Sequence, residues 1–342
     1  MIGGEHYLTP PARVENSLGE MLEKTTGEMV FFSTGRDALF SLLVSLPHRS
    51  IYLPDLVCAS VHQACVAAGK VIISYPLEPE LLDSSQLDLQ KAKSSCLLVM
   101  HYFGVANLPL LSRARQAGIT VISDVTHMLF NPRQLAQIAQ ESDYLIASLR
   151  KSGAFPDGGF VSSCLEPLVQ ATLPIRERFF SLRAAGLLSR GFSAQKNFCD
   201  DENFHLLRTA EGVIDQSSPG AHQCSYLTRR LLFTVDVDAA ALKVNDNMQT
   251  LAANLKDACV TPCQPGFTSP YFCCFFRNRK ERDFVRTQLA ARKYFCPVHW
   301  DTSSLPTPSP LSERCLSIPC DARYNSINMN DVASIIESCV KT

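Results

Sequence analysis

The 342 residues carry 46% hydrophobic and 19% charged side chains, enough to bury a full core and to form one large unit with a smaller one. Lys and Arg total 32 against 33 for Asp and Glu. The formal net charge of -1 gives no field to gather nucleic acid or an anionic membrane, so neither is an expected partner and any anionic ligand must be held by local groups.

Short β-branched, apolar runs alternate with helical patterns through the first half, which predicts an α/β fold with a mainly parallel sheet. The predicted strands there are Met29 to Ser33, Ser50 to Leu53, Val71 to Tyr75, Cys96 to Met100, Ile119 to Ser123, Asp143 to Ser148 and Gly159 to Ser163. Helices are predicted from Gly35 to Leu46, Ser60 to Ala68 and Leu108 to Ala117. Strands covered on both faces read as continuous apolar runs, as Cys96 to Met100 does. From about Leu165 to Asn245 the pattern is helical and more polar, and Arg176, Arg178, Arg183 and Arg190 read as a solvated face. After Asp246 come a helix, a strand from Tyr271 to Phe276, a helix from Arg279 to Ala291, a strand near Tyr294 to His299 and a final helix from Asn330 to Val340. The expected division is a large unit, 1–215, and a small α+β unit, 216–342.

The 14 cysteines are scattered, and those in apolar runs, such as Cys96, Cys164, Cys273, Cys274 and Cys339, read as small buried hydrophobes of a reducing compartment. Cys259 and Cys263 are the nearest approach to a metal pair, but no second half-site completes a tetrahedral set, so no metal is expected. No basic segment with a following apolar run opens the sequence, and no run of roughly 18 apolar residues occurs, so a cytoplasmic location is expected.

Ligands of such sheets collect beyond the carboxyl ends of the strands, where three sites draw attention. In Ser33-Thr-Gly-Arg-Asp-Ala-Leu39 a strand turns through Gly35 into a helix, whose free amides suit a phosphate or simply mark a capped helix start. In Val121-Ile-Ser-Asp-Val-Thr-His127 an apolar strand ends in Asp124, which reads as a helix cap, a metal ligand or the partner of a protonated ring nitrogen. His127 reads as a cofactor contact or a satisfied interior histidine. In the third, Ile146 to Gly159, an apolar strand runs through Ser148 to Lys151 and a glycine-rich turn. A lysine ending a buried strand is unusual unless an aldehyde converts its amine to an imine, the alternative being a lysine in an exposed loop.

The order Thr34-Gly35 before a helix, Pro54 after the next strand, His101-Tyr-Phe-Gly104, Asp124 with His127, and Lys151 followed by Asp157-Gly-Gly159 resembles the DegT/DnrJ/StrS group of sugar aminotransferases, within fold-type I pyridoxal-phosphate (PLP) enzymes. Asn245 to Leu251 and Leu316 to Pro319 extend the resemblance into the small unit. It implies an aspartate-aminotransferase-like fold with a mixed, mainly parallel sheet, a homodimer, and a reaction moving an amino group, from glutamate by this likeness, to a keto acceptor such as a nucleotide-linked keto-sugar in polysaccharide biosynthesis. By the same likeness Lys151 is the Schiff-base lysine and Asp124 the pyridine-nitrogen partner. Thr34, Gly35, Arg36, His127 and Ser148 complete the implied cofactor site.

The departures are Cys58, where these enzymes offer an aromatic ring above the cofactor, and Cys224 to Thr228, which replaces the family's Asn-Tyr-Arg segment. Stacking would then fall to His62 or His127. Arg323, between a late strand and the final helix, is a candidate fork for a substrate carboxylate, against a salt bridge with Asp321. Two other readings of the chain are another PLP reaction, lyase, decarboxylase or desulfurase, with Cys58 as the cysteine for the last, and a non-catalytic regulator on the same fold.

Overall fold

A computed structural model describes residues 2–3, 14–78, 84, 87–163, 169–195, 201–255 and 268–340. Cys164, Cys259 and Cys263 lie outside these residues. In chain order the elements are β1 (Ile2–Gly3), α1 (Leu18–Thr26), β2 (Met29–Phe32), α2 (Gly35–Ser45), β3 (Ser50–Pro54), α3 (Ala59–Ala67), β4 (Val71–Tyr75) and β5 (Cys96–Met100). Then follow α4 (Leu108–Gln116), β6 (Thr120–Asp124), α5 (Pro132–Glu141), β7 (Tyr144–Ser148) and β8 (Gly159–Ser163). The remainder holds α6 (Glu177–Gln195), α7 (Asp201–Asp215), α8 (Tyr226–Leu231), α9 (Val237–Leu255), β9 (Tyr271–Phe275), α10 (Arg279–Ala291), β10 (Tyr294–Phe295), β11 (Cys315–Pro319) and α11 (Ser326–Val340).

Seven strands form one sheet in the order β2-β8-β7-β6-β5-β3-β4. Only β8 runs against its neighbours, so the sheet is mixed and mostly parallel, as expected. β5, an interior strand, is buried at every position because helices cover both faces. A parallel sheet collects its strand ends on one edge, and that edge carries Pro54, Met100, Asp124 and Ser148. A second, two-stranded antiparallel sheet pairs β9 with β11 and forms a separate core with α9, α10 and α11. Leu231, Leu232 and Val237 still pack on the first core, whereas Val244 and Met248 belong to the second, so α9 bridges the two.

The sequence pattern leaves out α1 and α5. Both begin on side-chain caps, Ser17 accepting from the Glu20 amide and Asn131 from the Gln134 amide, and α5 has Pro132 in its first turn. The strand predicted from Tyr294 to His299 shrinks to Tyr294–Phe295, paired with β1, since Pro297 has no amide to continue a ladder. The last helix starts at Ser326, four residues before the expected start, because the Asn325 side chain accepts from the Asn328 amide. Most of the described cysteines are buried and all are free thiols, with Cys58 and Cys339 only half-buried.

Candidate active site

The edge of the large sheet is drawn together by contacts that require small residues. A side chain on Gly35 would meet the Ser148 Cβ at 3.0 Å, and one on Gly159 would stand 2.4 Å from the Gly35 nitrogen. The start of α2 therefore lies directly against the end of β7 and the start of β8. Thr34 caps α2, its hydroxyl accepting from the Asp37 amide at 3.0 Å. The amides of Gly35 and Arg36 precede the first intrahelical donor, so they form an electropositive cradle beside Ser148.

The side chains beyond that cradle are committed elsewhere. The Arg36 guanidinium donates to the Ile214 carbonyl (2.9 Å), the Ser217 carbonyl (3.0 Å) and Gln63 (3.1 Å), and so closes the C-terminus of α7 instead of facing the cradle. Asp37 is fully buried and held by a two-pronged contact from Arg176, at 2.8 and 2.9 Å, with the Gly220 amide adding a third bond.

Asp124 ends β6 next to Ser148 on β7. Its Oδ1 accepts from the Thr126 amide at 2.9 Å, and the Thr126 hydroxyl accepts from the Ser148 amide at 3.0 Å. Burial pushes the Asp124 carboxyl above its usual range, and the Thr126 bonds pull the other way. His127 follows on the same turn. Its Nδ1 faces the Phe103 amide at 3.4 Å, and its ring stacks on Phe103 (centroids 5.3 Å apart) and on Trp300 (5.8 Å, 10° between planes). Phe103 reaches this position from a left-handed backbone, φ 49°, within the His101-Tyr-Phe-Gly104 turn. Burial, and next the charge of Lys151, bring the His127 imidazole down to about 3, so it is neutral.

Lys151 closes the short helical turn after β7. Its ammonium has no hydrogen-bond or salt-bridge partner among the described residues. Its nearest titratable neighbours of note are His127 and His299, whose imidazoles its charge helps to depress. The turn behind it is fixed by Asp157, which binds the Ser225 amide (2.8 Å), the Ser225 hydroxyl (2.7 Å) and the Thr228 hydroxyl. The segment Cys224 to Thr228 thus holds the lysine loop of its own chain. Arg183, read from sequence as solvated, is fully buried; it donates to the Pro156 carbonyl at 3.0 Å and shares Glu211 with Arg150 across the Phe179 ring. Its aliphatic stem and both prongs are used inside the fold, which is why periodicity alone misplaces it.

A cleft of about 1620 Å³ opens beside Lys151, lined on one side by Arg150, Lys151 and residues of α6 and α7 and on the other by the small unit. Tyr271, His299 and Arg323 line its far wall. Arg323 is paired with Asp321 through two bonds of 2.7 Å and lies over the Tyr324 ring. Cys58 sits at the start of α3, half-buried, with the Ser60 hydroxyl against its sulfur, and His62 lies on the same helix, its imidazole lowered by burial. Sequence reasoning missed Tyr271, His299 and Trp300. The only available signal was the chain's single tryptophan beside a histidine, which has no periodicity to interpret.

The mixed seven-stranded sheet with its smaller α+β unit is the fold of solved PLP-dependent enzymes of fold type I. A DegT DnrJ EryC1 StrS aminotransferase from Brucella abortus superposes with TM-score 0.62 over 95% of this chain and 90% of its own, at 14% identity. A protein of Streptococcus pneumoniae described as a sugar aminotransferase, in its PLP form, gives 0.65 over 97% and 93%, at 10% identity. Serine palmitoyltransferase from Sphingomonas wittichii gives 0.59 over 95% and 75%, at 14% identity. No protein-family model matches the chain, and no curated protein matches it in sequence.

Proposed function

We propose that this protein is a PLP-dependent aminotransferase. The observation that carries the reading is Lys151, a half-buried lysine at a strand end that no described group pairs, faced by neutral imidazoles instead of carboxylates. The residues at the strand ends suit the cofactor. The cradle of Gly35 and Arg36 amides beside Thr34 and Ser148 suits its phosphate, and Asp124 suits its ring nitrogen. His127 offers a neutral ring beside them.

PLP supplies the electron sink that makes a substrate α-proton removable. The chain's part is to hold and move that proton. Asp124, buried at the end of β6, would hold the ring nitrogen protonated. As a free amine Lys151 would remove and redeliver the proton within the donor half-reaction, starting at the donor's α-carbon, and would run the same transfer in reverse, ending at the acceptor's former carbonyl carbon. The Phe103, His127 and Trp300 stack excludes water from this face.

Glutamate is the proposed donor and a keto compound with an anionic handle, such as a nucleotide-linked keto-sugar, the proposed acceptor. The cleft wall supports this: seven arginines and a lysine line it against four carboxylates, in a chain whose net charge is -1. Arg323 remains the proposed carboxylate contact of the donor, presented by Asp321. The reading includes the division into units 1–215 and 216–342, a homodimer and a cytoplasmic, polysaccharide-related role. Strongly exposed Tyr226 on α8 and Phe204 on α7 support association with a second copy. Among the described residues no helix is long and apolar enough to cross a membrane.

Because the same fold also carries serine palmitoyltransferase, the test must separate reactions. The purified protein should take up PLP with a visible band that borohydride removes. Single amino acids are then added in turn. Glutamate should bleach the band without releasing carbon dioxide, and 2-oxoglutarate should restore it; a protein that binds no PLP, or that decarboxylates the amino acid, would refute the reading.

A further inference from the structure

His299 stands apart from the other buried histidines. It belongs to no regular element, yet its ring is placed from three sides. Tyr271 packs edge-on at 4.5 Å, Trp300 lies at 5.4 Å and His127 at 5.9 Å, while the Cys315 thiol lies 3.2 Å from its backbone carbonyl. It is 4% exposed, and its Nδ1 is buried without a hydrogen-bond partner among the described residues. His101 and His48 also leave one ring nitrogen unsatisfied, but neither lines the cleft, and in each the other nitrogen faces a protein group, the Asn107 amide at 3.1 Å or the Thr120 hydroxyl at 3.4 Å. His127 uses its Nδ1 on the Phe103 amide. His299 alone of the four lines the cleft with Lys151 and has no side-chain hydrogen bond of its own.

A polar ring in the cleft wall whose nitrogens make no hydrogen bond to the described residues is costly to keep, and suits a ligand that supplies one. Burial comes first in keeping the ring uncharged, with Lys151 and His127 adding to it. A neutral imidazole has one donor and one acceptor nitrogen, which matches a hydroxyl group, itself donor and acceptor. It does not match a carboxylate, which wants only donors and a positive charge.

We infer that His299 is a substrate-contacting specificity residue that binds a hydroxyl group next to the carbonyl of the keto acceptor, so that the cleft selects hydroxylated ketones over their deoxy counterparts. This rests on the PLP reading for the position of the reacting carbon near Lys151. Its selectivity belongs to the small unit, through Tyr271 on β9 and Cys315 on β11.

The chain's single tryptophan, Trp300, adjoins His299 and gives a binding signal that does not depend on turnover. The PLP-loaded protein is titrated with dihydroxyacetone phosphate and with hydroxyacetone phosphate, which differ by one hydroxyl, while Trp300 fluorescence is followed. The wild type should bind the first about tenfold more tightly, the worth of one well-placed hydrogen bond. His299→Phe keeps the aromatic packing and should erase that preference, and His299→Gln should restore part of it. Equal affinities in the wild type, binding of neither probe, or a preference that survives in His299→Phe would each overturn the assignment. Failure of the PLP reading shows separately and earlier, as a protein that acquires no visible band before any probe is added.

Discussion

The site has two sides, built in different ways. The large-sheet wall takes Asp124 and Ser148 from the ends of two adjacent parallel strands, β6 and β7, tied by ladder bonds, and His127 and Lys151 from the turns that follow, and of these Lys151 alone lines the cleft. The small-unit wall takes Tyr271, His299 and Arg323 from the margin of a two-stranded sheet and from turns around it. One wall is fixed by backbone hydrogen bonding, the other by ring packing and an Asp321 ion pair. On the proposed function the difference divides the tasks: proton chemistry falls to the strand-end side and choice of substrate to the small-unit side. Variants on the first wall should abolish the reaction, and variants on the second should change affinities.

The largest effect is expected at Lys151. Lys151→Ala should lose turnover and the borohydride-sensitive band while its thermal midpoint stays within a few degrees of wild type, because the ammonium makes no hydrogen bond or ion pair with a described residue. A midpoint falling with activity would mean that the lysine supports the fold. Asp124→Ala should come next, retaining the band and losing about a hundredfold or more in kcat, in the range of a lost proton-handling group. Activity within a few-fold of wild type would assign Asp124 to the Thr126 turn alone.

The pH dependence of folding probes how dry the junction of the two walls is. The His101 and His127 rings are brought to about 3 by burial, and His299 also lies far below the ordinary 6.5. As pH falls below 6.5 the unfolded chain takes up protons on these rings and the folded chain does not, so stability must fall with them. Asp124 and Asp157, raised by burial, oppose this only as pH approaches the carboxylate range. Urea unfolding of the cofactor-free protein at pH 7.5 and 5.0 should show the lower stability at 5.0; an equal or higher value would mean that the histidines are hydrated.

The smallest effect is expected at Arg323. Because Asp321 already neutralises this guanidinium, Arg323→Lys should raise the KM for glutamate only threefold to about tenfold, without altering the cofactor band. No change at all would leave the arginine a purely internal partner of Asp321.

The sequence was legible where burial imposes a period. Cys96 to Met100 was read to the residue, and the strands ending at Asp124 and Ser148 to within one, because a covered parallel sheet demands unbroken apolar runs; Val71 to Tyr75, the half-exposed edge strand, was read to the residue from its β-branched residues. Lys151 and Asp124 stood out as charges at the ends of such runs. Arg183 was misread because a long cationic side chain can bury its stem and reach a distant carbonyl, Pro156 here, as the Arg36 side chain also does at Ile214, and nothing in its neighbours along the chain foretells that. His299 and Trp300 were missed because turns have no period, and their ring partners lie 28 or more residues away in the chain.

The central claim is that the amine of Lys151 is the one that carries the cofactor. Reducing the PLP-loaded protein with borohydride, digesting it and mapping the modified peptide by mass spectrometry tests this most directly. The account predicts a single cofactor-bearing peptide with the modification on Lys151; the same adduct on a peptide that lacks Lys151 would contradict it.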